Sequence, residues 1–165
     1  MNNVNAFQEK MLIMSESRAG KYLSFALAQE EYGVEILKVQ EIIGRMQITP
    51  GPLKSKHIRG VINLRGKIHP IMDLKIRFGM EQTQITDETC IIVIKTDNMM
   101  MGILVDKVSE VVDIDPDEIE DTPSFGPDVN PDYLLGVGKN GGRVRLLLDI
   151  DKVVTASEFI HVKNR

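Results

Sequence analysis

The chain repeats itself, and an internal repeat restricts the possible architectures more than any single motif. Residues 33–43 align without gaps to residues 102–112, an offset of 69. Gly33/Gly102, Lys38/Lys107, Val39/Val108 and Glu41/Glu110 are identical, while Val34/Ile103, Ile36/Val105, Ile42/Val111 and Ile43/Val112 are apolar in both copies. Residues 58–78 align in the same way to residues 134–154, at an offset of 76. Gly60/Gly136, Val61/Val137, Gly66/Gly142 and Asp73/Asp149 are identical, and Lys67/Arg143, Ile68/Val144, Ile71/Leu147 and Leu74/Ile150 keep their class. The change of offset by 7 places an insertion in residues 113–133 relative to residues 44–57. Glycines match along with the apolar positions, so duplication explains the pattern better than two chance apolar stretches. Two copies of a strand-rich unit predict two small barrels or curled sheets packed together, each managing its edges by closure. A pseudo-twofold seam between them is a natural groove, lined by equivalent residues such as Val39 and Val108.

The local pattern is that of an all-β chain. Alternation predicts a strand over 22–27, a polar turn at 29–31, strands over 32–36 and 41–48, and one helical turn at 37–40. Thr49-Pro50-Gly51-Pro52 reads as a rigid loop. Apolar runs flank Arg65-Gly66, Thr96-Asp97-Asn98 and Gly141-Gly142, and each reads as a hairpin. Residues 79–88 read as a polar link, residues 113–133 as an acidic, proline-rich loop with a short helix near 117–119, and residues 150–159 as a terminal helix. Phe7, Met11 and Met14 have the spacing of a short amphipathic helix in an otherwise polar arm. The expected organisation is an arm at 1–19, one domain at 20–157 with halves near 20–84 and 88–157, and a tail at 158–165.

Composition removes several function classes. The net charge is −4 and aromatics are 5% of the 165 residues, so the basic stripe and stacking platforms of nucleic-acid binders are missing. The single cysteine, Cys90, excludes an intrachain disulfide and fits a reducing cytoplasm. No apolar run reaches the length of a membrane span, so any membrane association is expected to be indirect. The run 136–141 matches G-x-G-x-x-G, but residues 143–148 alternate like a strand instead of opening a helix. Asp113, Asp115 and Asp117 open like a calcium loop, yet Glu118 and Ser124 occupy the places of its glycine and its last glutamate. His57, His69 and His161 have no metal-ligand spacing, and Cys90 heads an apolar run as a structural thiol would. Asp73 and Asp149 end equivalent strands, where capping the next turn is their simplest role. No catalytic residue, metal or cofactor is expected.

The runs Leu23-Ser24-Phe25, Ile48-Thr49-Pro50-Gly51-Pro52, Gly60-Val61-Ile62-Asn63-Leu64-Arg65-Gly66, Gly102-Ile103-Leu104-Val105-Asp106-Lys107-Val108 and Leu147-Leu148-Asp149-Ile150 resemble the CheW family of bacterial chemotaxis coupling proteins. The resemblance covers roughly residues 20–155. It implies two five-stranded, SH3-like β-barrels in pseudo-symmetric contact, and a non-enzymatic adaptor of the cytoplasm, recruited to receptor arrays. That adaptor would join the cytoplasmic hairpin tip of chemoreceptors to the regulatory domain of the histidine kinase CheA. The receptor groove would fall on Leu23, Ile36, Val39, Ile42 and Val108, and Asn63 and Arg65 would belong to the signature hairpin that meets a partner. A competing reading, a β-barrel that binds small ligands or nucleic acid, needs a basic or aromatic cleft that this sequence barely offers.

Overall fold

In the computed structural model, which describes residues 5–6, 18–44, 48–50, 56–96, 99–122 and 129–154, the elements whose full extent is described are mostly strands, and the helices among them are single turns. The strands are β1 Gly20–Leu27, β2 Glu30–Glu35, β3 Val39–Ile43, β4 Ile58–Leu64, β5 Lys67–Asp73, β6 Cys90–Lys95, β7 Met100–Val105, β8 Lys107–Ile114, β9 Ile119–Glu120, β10 Leu134–Asn140 and β11 Arg143–Leu148. Helices α1 Leu74–Arg77 and α2 Ile150–Val153 follow β5 and β11. Asp73 and Asp149 cap them, accepting bonds from the amides of Lys75 and Lys152. Some boundaries depart from expectation. The first turn is at Ala28–Gln29, with Ala28 at φ 55°, so β2 starts at Glu30. The helical turn is a 3-10 turn at Ile36–Lys38, and β3 begins directly after it. The acidic loop contains a 3-10 turn, Pro116–Glu118, and then a two-residue strand. The expected arm helix, the rest of the expected terminal helix and residues 51–55 lie outside the described residues.

The strands form two sheets, ordered β3-β6-β7-β5-β4 and β8-β1-β2-β11-β10-β9. The two copies of the sequence therefore do not each build their own sheet. Each sheet takes three long strands from one copy and the first two strands of the other. The repeat is visible in the pairing itself. Parallel pairs Ile71↔Gly102 and Leu147↔Gly33 are equivalent, as are antiparallel pairs Val39↔Ile94 and Val108↔Phe25.

Both sheets close by the same device. The chain leaving β3 bridges to β4 at Thr49↔Val61, and the chain leaving β8 reaches β10 as β9. At each closure the incoming carbonyl approaches a matched glycine. A Cβ on Gly60 would lie 2.4 Å from the Thr49 oxygen, and one on Gly136 would lie 2.7 Å from the Glu120 oxygen. No side chain fits there, which explains why the repeat keeps glycine at both positions.

The main core lies between the barrels. Leu23, Phe25, Leu27, Ile92, Ile94, Met101, Ile103 and Val105 all belong to it. Alternate residues of the same strands point the other way, into the barrels. Tyr22 packs with Val112 and Leu147, and Ile91 and Val93 pack with Ile71 and Leu104. Strands buried on both faces need apolar residues at nearly every position, so β6 and β7 read as continuous apolar runs. Among the described residues, no helix is long and apolar enough to cross a membrane.

Candidate partner-binding groove

The two seam strands, β3 and β8, carry matching irregularities. The pairing of β3 with β6 shifts between Val39 and Glu41, and that of β8 with β1 shifts between the partners Val108 and Glu110. A bulge lets two nearby residues face the same side before alternation resumes. Ile43 and Val112 then point into their barrels, which leaves Val39 and Ile42 on one outer face and Val108 and Val111 on the other. Val39 and Val108 both rest, half-buried, on the inter-barrel core. Ile42 is 44% exposed.

The 3-10 turn adds to this edge. Ile36 packs half-buried on the same core, and Leu37 projects from the turn 94% exposed. Lys38 ties the turn to α2 through a 2.9 Å ion pair with Asp151. Of the five residues expected in the groove, Ile36, Val39 and Val108 thus share one cluster with Leu23. Leu23 itself is only 2% exposed and lies beneath the surface, while Ile42 stands on the outer face of β3. Leu37 escapes a reading based on the repeat, which aligns it with Asp106, a polar residue that accepts a 2.7 Å bond from the Ala28 amide.

Asn63 and Arg65 shape the tip of the β4–β5 hairpin. Arg65 and Gly66 have φ of 51° and 85°, a tight turn in which both central residues are left-handed. The Asn63 side chain accepts the Gly66 amide at 3.0 Å and fixes that turn. Arg65 reaches across to β3 and grips Glu41 with two bonds of 2.8 and 3.2 Å. That contact lowers the Glu41 pKa and raises that of Arg65, in each case chiefly through the hydrogen bonds between them. The sequence alone does not connect Arg65 with Glu41, although Glu41 is one of the identities of the repeat.

The carboxylates considered for chemistry have structural partners. Asp73, wholly buried, accepts from Arg59 at 2.9 Å and from the Thr83 amide and hydroxyl at 3.0 and 2.8 Å. It thereby anchors the link at 79–88 as well as capping α1. The glycine-rich run at 136–141 is β10 and its turn into β11, with no helix to receive a pyrophosphate.

Comparison with known proteins finds relatives of this sequence and fold. The CheW-like domain family matches residues 21–158. The chain is 38% identical to the chemotaxis protein CheW of Klebsiella aerogenes over 152 residues, 92% of each chain. It is 34% identical to that of Rhizobium meliloti over 136 residues, 82% of this chain and 88% of the other. The crystal structure of the scaffolding protein TtCheW from Thermoanaerobacter tengcongensis superposes with a TM-score of 0.77 at 31% identity, covering 85% of this chain and 95% of that one.

Proposed function

The chain belongs to the CheW-like family, and from that premise we propose that it couples the cytoplasmic tips of chemoreceptors to the regulatory domain of the histidine kinase CheA. Proteins of this family are chemotaxis scaffolds and not enzymes, and this chain is one of them. One observation carries the coupling reading: at β3, β8 and the 3-10 turn the inter-barrel core is bordered by apolar residues that are not fully buried. Ile36, Val39 and Val108 close it only in part, and Leu37 and Ile42 extend the apolar surface outward. An amphipathic helix covers such a trough with anchors spaced along one face, as a helical receptor tip would. Leu23 supports the floor of the groove from below. Asn63 and Arg65 present the neighbouring hairpin to a partner.

The apolar residues of the seam are few, enough for a helix and too few for a second domain, whose contact typically buries about 800 Å² per partner. The kinase domain therefore takes an outer barrel face, and both partners bind at once. The protein would work in the cytoplasm, recruited to receptor arrays through them. Residues 20–157 act as the binding unit, with 1–19 and 158–165 flanking it. The test is a titration of receptor fragment into protein already saturated with CheA regulatory domain. Retained receptor affinity is expected, and Val39→Glu should lower that affinity while kinase binding persists. Displacement of the kinase domain by the receptor fragment would reject the two-site arrangement. Normal receptor binding by the Val39 variant would reject the groove.

A further inference from the structure

The second barrel, closed by β9, has a charged mouth that the groove leaves unused. On its inner face Tyr22, Val112 and Leu147 pack together, and two residues along each strand the same face carries Ser24, Glu110 and Arg145. The equivalent positions of the other barrel are Val93, Glu41 and His69, so the acidic residue is shared by both barrels and the buried arginine belongs to one alone. Arg145 is 2% exposed and Ser24 is fully buried. The guanidinium Nε donates to the Ser24 hydroxyl at 3.0 Å, while its Nη1 is buried without a hydrogen-bond partner. Glu110 stands 3.8 Å from Nη2 and Glu31 stands 3.8 Å from Nε, both beyond hydrogen-bond reach. Arg143 bonds Glu31 at 3.1 Å and lies 4.0 Å from Glu110. A buried cation with donors left over is an expensive arrangement unless something else meets it.

Beside these charges a cleft opens, lined by Gln29, Glu30, Glu31, Arg143, Val144 and Leu146. It lies where β2 and β11 part company, since their pairing is confined to Leu146↔Tyr32 and Leu147↔Gly33. Val144, 55% exposed, gives it an apolar wall.

We propose that this mouth is a carboxylate-binding site, in which an acidic side chain of a partner protein takes Arg143 and Arg145 in place of Glu110. Glu110 is the group displaced, because it touches both arginines only at long range and its side chain is already 56% exposed. As Glu110 swings into water, one carboxylate is exchanged for another beside Glu30 and Glu31, so the charge facing Arg143 and Arg145 does not change. A dianion such as phosphate would instead meet the negative charge of Glu31. Arginine's planar fork suits a carboxylate held by paired bonds. The apolar wall beside it takes an apolar neighbour of the acidic residue, which favours a protein chain over a free acid.

This proposal stands apart from the groove, and its test uses no receptor or kinase. The intact protein is titrated with acetyl-Leu-Glu-Leu-amide, with its Gln counterpart and with acetate, following the Arg145 Nε–H resonance and its saturation. The Glu peptide is expected to shift that resonance and to bind about tenfold tighter than either control. Glu110→Gln removes the competitor and should tighten the Glu peptide about fivefold, whereas Arg145→Met should abolish its binding. If Arg145→Met does not fold, Glu110→Gln and the Gln peptide still decide. Equal binding of both peptides, or no gain in Glu110→Gln, overturns the site. Acetate binding as tightly as the Glu peptide overturns the protein partner.

Discussion

Tyr32 carries a hydroxyl into the inter-barrel core and gives it no partner. Its side chain is fully buried, its ring stacks between Phe25 and Phe78 at 5.8 Å from each, and its Oη makes no hydrogen bond. Burial pushes its ionisation far above the ordinary range. The ring contributes packing while the hydroxyl contributes only lost hydration, so Tyr32→Phe is expected to raise stability by about 1 kcal/mol. Urea melts check this, and a destabilised variant would mean that the hydroxyl is satisfied after all. Glu35, just before the exposed turn, is half-buried. Burial raises its pKa above the ordinary 4.5, Lys38 offsets part of the shift, and Asp149 and Asp151 add to it. A carboxyl whose pKa is higher folded than unfolded holds more protons in the folded state between the two values. Its contribution is then most favourable below 4.5 and declines as pH rises through the folded pKa. Glu41, lowered by Arg65, has the opposite slope, so the whole-protein profile hides both. The difference in unfolding free energy between the wild type and Glu35→Gln isolates Glu35: the wild type should lose ground to the variant as pH rises from the acid side. A flat difference would place the Glu35 carboxyl in water.

Closure of each barrel depends on elements too short to leave a pattern. Gly60→Ala sets a Cβ against the Thr49 carbonyl, which also accepts the Val61 amide at 2.8 Å. A clash with backbone cannot be relieved by a rotamer change, so the expected loss is about 3 kcal/mol. Hydrogen exchange should show the Val61 amide losing protection before those of β6 and β7; uniform protection with unchanged stability would show that the edge strand moves aside freely. The hairpins β4–β5, β6–β7 and β10–β11 are legible in the sequence, because alternation or apolar runs flank turn residues at the right spacing. The β9 strand and the Thr49 bridge are not, since two residues have no period. The same distinction runs through the sites. Val39 and Val108 emerge from the repeat, whereas Leu37 falls opposite an aspartate and draws no notice. Arg145 is hidden for a different reason. A polar residue in a strand reads as solvent-facing, and only the closed barrel reveals that its face is the interior.

The exchange of strands makes the molecule one unit although its sequence is two. β1 and β2 complete the barrel of the second copy, and β6 and β7 complete that of the first. Neither copy can close a sheet alone, and each would leave half of the inter-barrel core uncovered. The same crossing joins the two barrels on which Val39 and Val108 sit, so the edges of the groove are held by strands that run between the copies rather than by surface contact alone. A helix seated there, as proposed, would meet a preformed trough and spend little of its binding energy on ordering it. The link at 79–88 is anchored through Thr83 to Asp73, and its exposed end at Asp87 and Glu88 falls in a turn just before β6. Cutting the chain between residues 86 and 87 therefore spares the anchor and both sheets. Fragments 1–86 and 87–165 are expected to be unfolded separately, each lacking the strands that close its barrel. Mixed in equal amounts, they should assemble into a complex with the circular dichroism and amide spectrum of the intact protein. Its stability should rise with concentration, because linking two chains has replaced folding one. A fragment that folds by itself, with dispersed amide resonances and a cooperative melt, would show that one copy can close its own barrel. The crossing strands would then be a consequence of linkage and not a requirement of the fold.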